Sequence, residues 1–377
     1  MTEKLTVELG ERSYPIFILP DWDTYAETIA ENAELTSPPT VICDANTAQY
    51  AGDGGLLIEL DAGEKTKSYP QLEKIHEEMA LHRIDRGGKI IAVGGGVIGD
   101  LAGFAAATYL RGIDFYQVPT TLLAMVDSSV GGKTGINLSA GKNLVGAFWQ
   151  PKAVFICTEF LKTLPPREFS AGMAEVIKYG MLYDRALFDK LVALEKPLSW
   201  DHPELPGVIR RCCEIKAEVV KADEKETAKS GGRALLNLGH TFAHAIENVA
   251  GYGTYLHGEA VGIGLVMAAE LSLKLSEEGR APSIGSGQAG YAFTQADVDA
   301  SRELVARYGL PTSLKDTLDG NPPPKLDTDA LMDAMLRDKK VRAGKLRFVA
   351  METLGTAVTV EDVDEEWVRE LWKQFSE

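Results

Sequence analysis

Short apolar runs alternate with amphipathic, helix-like segments over the first 160 residues. The strand-like runs occupy residues 40–43, 56–60, 89–93, 115–119 and 153–157. Between them, residues 69–84 and 100–110 carry apolar side chains at helical spacing. This alternation is typical of an α/β unit, and it predicts a Rossmann-like domain with a mostly parallel sheet.

The pattern changes after the prolines at residues 165 and 166. Runs of β-branched residues become scarce, and long amphipathic patterns cover residues 171–183, 208–221, 235–249 and 260–275. Because the two prolines would end a preceding element, we predict domains at residues 1–166 and 167–377, the second of them all-α. Residues 277–295 are rich in Gly, Ser and Ala and predict a mobile loop.

Length and hydropathy agree with two globular domains. A chain of 377 residues with 45% hydrophobic side chains is too long for one ordinary core. It contains no run of 18 uncharged apolar residues, and residues 1–15 alternate polar with apolar positions. We therefore expect no membrane span and no signal peptide, and hence a cytoplasmic protein.

The net charge of −16 argues against nucleic acids and anionic membranes as partners, since both require a basic surface. An anionic ligand would need cations gathered locally. The four cysteines, Cys43, Cys157, Cys212 and Cys213, have no metal or redox spacing, and the adjacent pair cannot easily form a disulfide. We interpret them as reduced, structural thiols.

A predicted buried strand at residues 89–93 runs into a GxGxxG turn at residues 94–99 and then into a helix. Glycines there let a pyrophosphate approach the backbone, and the helix N-terminus offers N–H groups to it. The usual acid about 20 residues later is missing, because the nearest one, Asp114, precedes the next strand. Asp44 and Glu64 are alternative ribose partners. The pattern favours a nucleotide site in a Rossmann variant; the alternative is a purely structural turn.

A Gly/Ser/Lys-rich stretch covers residues 119–143, a composition suited to phosphate binding. It contains Gly132-Lys133-Thr134, but the first glycine of a P-loop would fall on Asp127, which excludes that ATPase motif. The alternative to a phosphate site is an ordinary surface loop with solvated lysines.

Three of the six histidines, His240, His244 and His257, lie within 18 residues, flanked by Glu247 and Glu259. The first two are four apart in a helical pattern and share one face, and the third follows a glycine turn. Two histidines and a carboxylate would form a three-ligand metal site with an open position. Spacing does not choose between a His240/His244 and a His240/His257 pair. The alternative is that these histidines cap helices or satisfy hydrogen bonds in the core.

Further motifs follow one another along nearly the whole chain. They occupy residues 94–100, 109–112, 117–121, 125–137, 141–148, 171–180, 237–242, 256–259 and 338–340. In sequence and in order they resemble the 3-dehydroquinate synthase family of the sugar phosphate cyclase superfamily. The resemblance implies a Rossmann-like N-terminal domain, a helical C-terminal domain and a site in the cleft between them.

The resemblance also implies which residues form the site. The metal ligands would be Glu175, His240 and His257, holding zinc, which cobalt can replace. The residues that contact NAD would be Asp44, Asn46, Glu64, Lys67, Gly95, Gly96, Val97, Gly99, Asp100, Thr120, Thr121, Lys142, Phe160, Leu161, Lys162 and Thr163. The residues that contact substrate would be Arg111, Asp127, Lys133, Asn143, Lys178, Lys216, Arg233 and Asn237, with Lys339 or Lys340 near its carboxylate.

The family's substrate, 3-deoxy-D-arabino-heptulosonate 7-phosphate, carries a phosphate and a carboxylate, which explains why an acidic chain gathers cations. By resemblance, NAD transiently oxidises the hydroxyl at carbon five, which the metal orients. Phosphate is then eliminated, the hydride returns, the ring opens and an intramolecular aldol step yields 3-dehydroquinate. His244 and Glu226 are expected to relay protons, while Lys133 and Asn143 hold the phosphate. Members are commonly homodimers, in which the residue matching Arg111 reaches the neighbouring subunit's site.

Three other functions share part of this pattern. Sister cyclases acting on sedoheptulose 7-phosphate share the fold and cofactors, but His244, Lys216 and Arg233 occur together here, as expected for an acidic seven-carbon substrate. Iron-type alcohol dehydrogenases would place more histidines on the metal. A non-enzymatic NAD-binding protein would keep the folding glycines but lose the exposed lysines and histidines, and this chain has both.

Overall fold

The computed structural model describes residues 2–52, 54–228, 231–279, 292–337, 346–361 and 363–376. The chain forms two units. The first comprises Met1–Pro165 and Ser199–Lys225, and the second comprises Pro166–Leu198 and Glu226–Glu377. The sequence predicted a single boundary near residue 166. The chain instead passes between the units three times, because the helical segment within Ser199–Lys225 belongs to the first unit.

The elements follow the predicted alternation of strands and helices. The described strands are β1 (Glu3–Val7), β2 (Tyr14–Leu19), β3 (Thr40–Asp44), β4 (Leu56–Leu60), β5 (Lys89–Gly94), β6 (Asp114–Pro119), β7 (Lys133–Leu138), β8 (Gly141–Phe148), β9 (Ala153–Cys157), β10 (Arg347–Thr353) and β11 (Thr356–Glu361). The described α-helices are α1 (Trp22–Asn32), α2 (Tyr69–Leu81), α3 (Gly96–Thr108), α4 (Pro166–Leu182), α5 (Arg185–Ala193), α6 (Leu205–Ala222), α7 (His240–Ala250), α8 (His257–Glu277), α9 (Gln295–Arg307), α10 (Thr328–Arg337) and α11 (Glu365–Ser376).

The first unit contains a seven-stranded sheet with the order β1-β2-β9-β6-β5-β3-β4. Every neighbouring pair is parallel except β1 with β2, so the predicted mostly parallel sheet is confirmed. The strands β3, β4, β5, β6 and β9 follow the 2-1-3-4-5 order of a flavodoxin-like doubly wound sheet. In this order the sheet reverses its direction of growth between β3 and β5. Ligands of such sheets bind at that reversal, beyond the carboxyl ends of the strands.

The reversal explains the missing acid of the nucleotide pattern. Asp44 ends β3, and the glycine turn begins where β5 ends. Cys43 pairs with Val93 in the parallel register, so the two ends lie side by side. In this strand order an acid that neighbours the glycine turn comes from an earlier strand of the sequence, not from the next one.

The glycine-rich stretch predicted as a phosphate-binding loop forms an antiparallel hairpin, β7–β8, in its second half. Gly135 and Gly146 face each other in the register. A Cβ at Gly135 would lie 2.5 Å from the carbonyl oxygen of Val145, and one at Gly146 would overlap that of Thr134. Gly135, one of the glycines that suggested a loop, therefore serves the close approach of two strands.

The second unit is helical, as predicted, and also contains the hairpin β10–β11, which the sequence analysis did not anticipate. Of the expected loop at residues 277–295, the described part belongs to the end of α8 and the start of α9, and residues 280–291 lie outside the described residues. In the described part of the chain, no helix is both long enough and apolar enough to cross a membrane.

Three helices of the second unit pack at unusually short backbone separation. A Cβ at Gly258, in the first turn of α8, would overlap the carbonyl oxygen of Ala171 in α4. A Cβ at Gly264, further along α8, would overlap the carbonyl oxygen of Gly239, the left-handed N-cap of α7 with φ of 75°. Glycine is the residue that permits both contacts. As a result α4, α7 and α8 meet near the first residues of α7 and α8.

We expect Gly258→Ala to destabilise the metal-free protein by about 1–3 kcal/mol, because the added methyl group overpacks the contact between α8 and α4. Gly207→Ala is the control, since a Cβ at that helical position meets nothing within 4 Å and should be neutral or slightly stabilising. Urea unfolding of both variants measures the difference. A Gly258→Ala protein as stable as Gly207→Ala would contradict the steric explanation.

Candidate functional site

A cluster of possible metal donors lies in the second unit. Glu175 of α4, His240 at the start of α7 and His257 at the start of α8 each bring one donor atom within 4.8 Å of the others. Glu175 Oε1 lies 3.6 Å from Nε2 of both histidines, and its side chain is 1% exposed. A carboxylate with two imidazoles is a donor set that suits zinc or cobalt. The three ligands implied by the resemblance therefore converge.

Hydrogen bonds orient both imidazoles for this role. His240 Nδ1 lies 3.0 Å from the carbonyl oxygen of Leu238, which can only accept, so Nδ1 carries the proton and Nε2 presents a lone pair. His257 Nδ1 lies 3.4 Å from Oε2 of the buried Glu247. In the sequence Glu247 is only a flanking residue, because its contact with His257 depends on how α7 packs against α8.

The cluster favours a cation. Burial lowers the pKa of His257, but hydrogen bonds from its ring to Glu175 and Glu247 outweigh burial and raise the pKa to about 10. One turn along α4, Lys178 forms a buried ion pair with Glu175. Two carboxylates and one ammonium leave a net negative charge before a proton or metal ion is added. The donor set and its charge both fit a divalent metal.

His244 stands beside the cluster. Its ring centroid lies 5.7 Å from that of His240 and 6.5 Å from that of His257. In the part of the chain that the structure describes, the converging donor atoms include those of His240 and His257 but not those of His244. The geometry thus favours the His240/His257 pair, one of the two pairs that spacing left open.

An ion pair holds the ends of α4 and α8 together. Arg167 Nε donates to Glu259 Oε1 at 2.7 Å, and a second guanidinium nitrogen donates to Oε2 at 2.9 Å. Glu259 Oε2 also accepts from the backbone N–H of Leu256 at 2.8 Å, which caps α8 just before His257. A Glu three residues inside a helix start is a known capping signal, and it identifies Glu259. Sequence reasoning missed Arg167, because its contact joins two helices that are distant in sequence.

In the first unit, the glycine turn combines both interpretations that the sequence allowed. A Cβ at Gly99 would lie 2.6 Å from Gln117 Oε1, so this glycine is needed for packing of α3 on β6. Gly95 precedes α3 with no side-chain cap, and Gly95, Gly96 and Val97 are only partly buried. The N–H groups of the first turn of α3 can therefore meet an anion.

The end of β3 is fixed next to this turn. Asp44 Oδ1 accepts from the backbone N–H groups of Asn46 at 3.0 Å and Thr47 at 3.1 Å. The Thr47 hydroxyl donates to the carbonyl oxygen of Val93 in β5 at 2.9 Å. These bonds hold Asp44, a predicted ribose partner, and Asn46, a predicted NAD contact, at the reversal point of the sheet.

A polar network connects predicted cofactor residues with the hairpin β7–β8. Lys67 is 4% exposed, and its Nζ donates to Asp100 Oδ2 at 2.7 Å and to Asn143 Oδ1 at 2.5 Å. Burial lowers the pKa of Lys67, but Asp100 and Glu64 outweigh that effect and raise it. Asn137, which the sequence analysis did not single out, donates from Nδ2 to Glu64 Oε1 at 2.7 Å.

Two predicted substrate residues form a separate pair in the first unit. Lys216 of α6 is 5% exposed, and its Nζ lies 2.8 Å from Asp127 Oδ1. Asp127 belongs to a single π-helical turn, Ala124–Ser128, and such turns are frequent at functional sites.

The remaining predicted residues are spread over both units. Residues 160–163 lie in the 3-10 segment Thr158–Thr163 after β9, where Phe160 stacks on Tyr50 at 4.3 Å between ring centroids. Just after β6, Thr120 is buried and Thr121 is partly buried. In the hairpin, Lys133 is exposed at the start of β7 and Lys142 is partly buried in β8. Arg111 and Glu226 have φ of 72° and 54°, and the 3-10 segment Gly232–Asn237 contains Arg233 and Asn237. Lys339 and Lys340 lie outside the described residues.

Among the solved structures that share this fold are two synthases with bound cofactors. One is a 2-deoxy-scyllo-inosose synthase complexed with carbaglucose-6-phosphate, NAD+ and Co2+, at TM-score 0.80 and 24% identity, covering 99% of this chain and 100% of the other. The second is the 2-epi-5-epi-valiolone synthase of Streptomyces hygroscopicus with NAD+ and Zn2+ bound, also at TM-score 0.80 and 24% identity, covering 98% of each chain.

Comparison of sequences identifies the family more specifically than comparison of folds does. The 3-dehydroquinate synthase N-terminal model matches residues 57–171, and the corresponding C-terminal model matches residues 172–341. A 3-dehydroquinate synthase of Opitutus terrae is 52% identical over 99% of both chains. With family models matching 57–341 and a relative of this similarity over the full length, the chain belongs to the 3-dehydroquinate synthase family.

Proposed function

We propose that this protein is a lyase that converts 3-deoxy-D-arabino-heptulosonate 7-phosphate to 3-dehydroquinate and phosphate, a step in the synthesis of chorismate and aromatic amino acids. One observation carries the proposal. This chain is 52% identical to a 3-dehydroquinate synthase over 99% of both chains, and its Glu175, His240 and His257 bring their donor atoms within 4.8 Å of one another. The substrate's hydroxyl at carbon five is oxidised, phosphate is eliminated, the ketone is reduced again, the ring opens and an aldol step closes the carbocycle.

Two cofactors support this cycle. Glu175, His240 and His257 would hold zinc or cobalt, and the turn after β5 would hold NAD together with the residues at the end of β3. When bound, NAD supplies a hydride acceptor and donor, and the metal supplies a Lewis acid. Fold neighbours that bind NAD+ with Co2+ or Zn2+ support the assignment.

The chain's own residues would then bind the substrate and move protons. His244, beside both ligand histidines, would accept and return a proton at the hydroxyl of carbon five, with Glu226 as a second acceptor. Lys133 and Asn143 would bind the phosphate, which can itself take a proton as it leaves. The remaining anionic and hydroxyl groups of the substrate would meet Arg111, Asp127, Lys178, Lys216, Arg233 and Asn237.

Charge balance in the structure supports this use of lysines. Lys216 and Lys178 are both buried, and each pairs with a carboxylate, Asp127 and Glu175 respectively. A buried ammonium without a partner would be costly, so the carboxylates keep these cations in place before a ligand arrives. Each pair is neutral overall, so an acidic protein can keep a charged ammonium donor buried.

Family membership decides among the rival interpretations. The two synthases that share the fold are 24% identical to this chain, whereas the Opitutus terrae relative, a 3-dehydroquinate synthase, is 52% identical. An iron-type alcohol dehydrogenase would not match family models across residues 57–341. The activity assay described below distinguishes a non-enzymatic NAD-binding protein from an enzyme.

The protein is also proposed to be a cytoplasmic homodimer in which Arg111 serves the neighbouring subunit's site. Leu110 and Arg111 are consecutive non-glycine residues with φ of 49° and 72°, and both are exposed. Backbone strain of this kind costs on the order of 1–3 kcal/mol per residue and persists where surrounding contacts enforce it. Here Trp149 packs over Gly112 and donates to the carbonyl oxygen of Ile113 at 3.0 Å. These contacts, just after Arg111, are of the kind that enforces such a backbone.

The proposed activity is tested by incubating zinc-loaded protein with NAD and 3-deoxy-D-arabino-heptulosonate 7-phosphate. We expect phosphate and 3-dehydroquinate in equal amounts, loss of activity with a chelator, and no accumulation of NADH at 340 nm, because the hydride returns to the substrate. Turnover of sedoheptulose 7-phosphate instead would identify a sister cyclase. Net NADH formation would identify a dehydrogenase, and no reaction with either substrate would favour a binding protein.

Metal affinity and turnover should respond differently to two neighbouring changes. Glu247→Gln should weaken zinc binding by about 10–100-fold, because His257 loses the anion that orients it. His244→Ala should lower kcat by about 100–10,000-fold through loss of proton transfer, with zinc affinity nearly unchanged. Chelator competition and steady-state kinetics measure both, with the exposed Glu303→Gln as control. Loss of zinc from His244→Ala would refute its assignment.

Mixed dimers test whether Arg111 acts in the partner's site. Arg111→Ala and His244→Ala homodimers should both be inactive. Unfolding and refolding them together in equal amounts should recover about a quarter of wild-type activity, since half the dimers are mixed and each has one complete site. No recovery despite mixed dimers in native mass spectra, or a monomeric active species in sedimentation, would overturn the shared site.

A further inference from the structure

The hairpin β7–β8 contains an irregularity at Asn137. Ile136 pairs with Val145 and Leu138 pairs with Gly141, so one residue of β7 faces three residues of β8. At the centre of this bulge, Asn143 has φ of 54°, in the left-handed region that few non-glycine residues adopt. Bulges of this kind commonly re-aim a side chain at a functional site.

The side chain of Asn137 fills the gap in the ladder. Its Oδ1 accepts the backbone N–H of Asn143 at 2.8 Å, which replaces a cross-strand carbonyl. Its Nδ2 donates to Glu64 Oε1 at 2.7 Å. The reverse orientation of the amide would place its oxygen against a carboxylate, so only one orientation satisfies both contacts. The backbone N–H of Asn137 also donates to the carbonyl oxygen of Lys67 at 2.9 Å.

Lys67 closes the network from the other side. Its Nζ donates to Asp100 Oδ2 and to Asn143 Oδ1. The contact uses the amide oxygen of Asn143, so it fixes Nδ2 as the group that can donate to an anion. A shift of Lys67 or Glu64 toward a bound cofactor would therefore alter the orientation of Asn143. A shift of Asn143 toward a bound phosphate would in turn alter the positions of Lys67 and Glu64.

We propose that Asn137 is a positioning residue that couples the cofactor-side residues Glu64 and Lys67 to the phosphate-side residue Asn143, so that NAD and phosphate bind cooperatively. The inference rests on the proposed function for the roles of those three residues. Its own content is that Asn137, which touches neither ligand in this assignment, transmits the occupancy of one site to the other. By linkage, the effect on the two affinities must be equal.

The test measures NAD affinity by calorimetry on zinc-loaded protein, with and without saturating inorganic phosphate, and phosphate affinity with and without NAD. In the wild type we expect each ligand to tighten the other by about 5-fold or more. In Asn137→Ala the factor should fall to near one. Ser139→Ala, at the exposed tip of the same hairpin, should keep the wild-type factor.

Asn137→Asp distinguishes the two hydrogen bonds of the side chain, one to Asn143 and one to Glu64. It keeps an acceptor for the N–H of Asn143 but places a carboxylate against Glu64. We expect weaker NAD binding and loss of the coupling factor, while phosphate affinity without NAD stays close to wild type. If Asn137→Ala does not fold by circular dichroism, this variant decides the question.

A purely structural role for Asn137 would lower the melting temperature and leave the coupling factor unchanged, which would overturn the inference. A wild-type protein that binds both ligands without coupling would overturn it too. Turnover of 3-deoxy-D-arabino-heptulosonate 7-phosphate, measured on the same samples, separates the outcomes. Absence of turnover in the wild type refutes the proposed function, whereas turnover without coupling refutes this inference alone.

Discussion

The close backbone contact of α8 with α4 and α7 is the constraint on which the cluster of possible metal donors depends. Gly258 and Gly264 permit contacts that any larger residue would prevent. His257 is the first residue of α8 and His240 the first of α7, while Glu175 lies one turn beyond Ala171 in α4. Imidazole and carboxylate side chains reach only a few ångströms, so the three donors can meet because the helices meet.

Hydrogen bonds and an ion pair also fix the orientation of the donor side chains. Leu238 and Glu247 fix the ring nitrogens of His240 and His257, and the pair of Arg167 with Glu259 secures the start of α8. Leu238, Glu247 and Arg167 each lie outside the helix whose first residues they hold. A preorganised site of this kind loses little entropy when a metal binds.

In the first unit, buried charge is organised by pairing. Lys67 and Lys216 each lie beside an aspartate, and the raised pKa of Lys67 keeps its ammonium charged despite burial. The doubly wound order brings the end of β3 to the glycine turn after β5. Polar groups distant in sequence thus become one surface at the reversal of the sheet.

The sequence by itself determined the α/β and helical units, five of the parallel strands and the glycine turn. Through its ordered motifs it also determined the family and predicted the three metal donors that converge in the structure. Hydrophobic periodicity and motif order are local properties, and they survive without knowledge of packing. Only the tertiary structure decided that Ser199–Lys225 joins the first unit, that a glycine-rich stretch forms a hairpin, and that Glu247 and Asn137 hold their partners. These depend on which elements become neighbours, and side-chain contacts between distant segments leave no periodic trace in the chain.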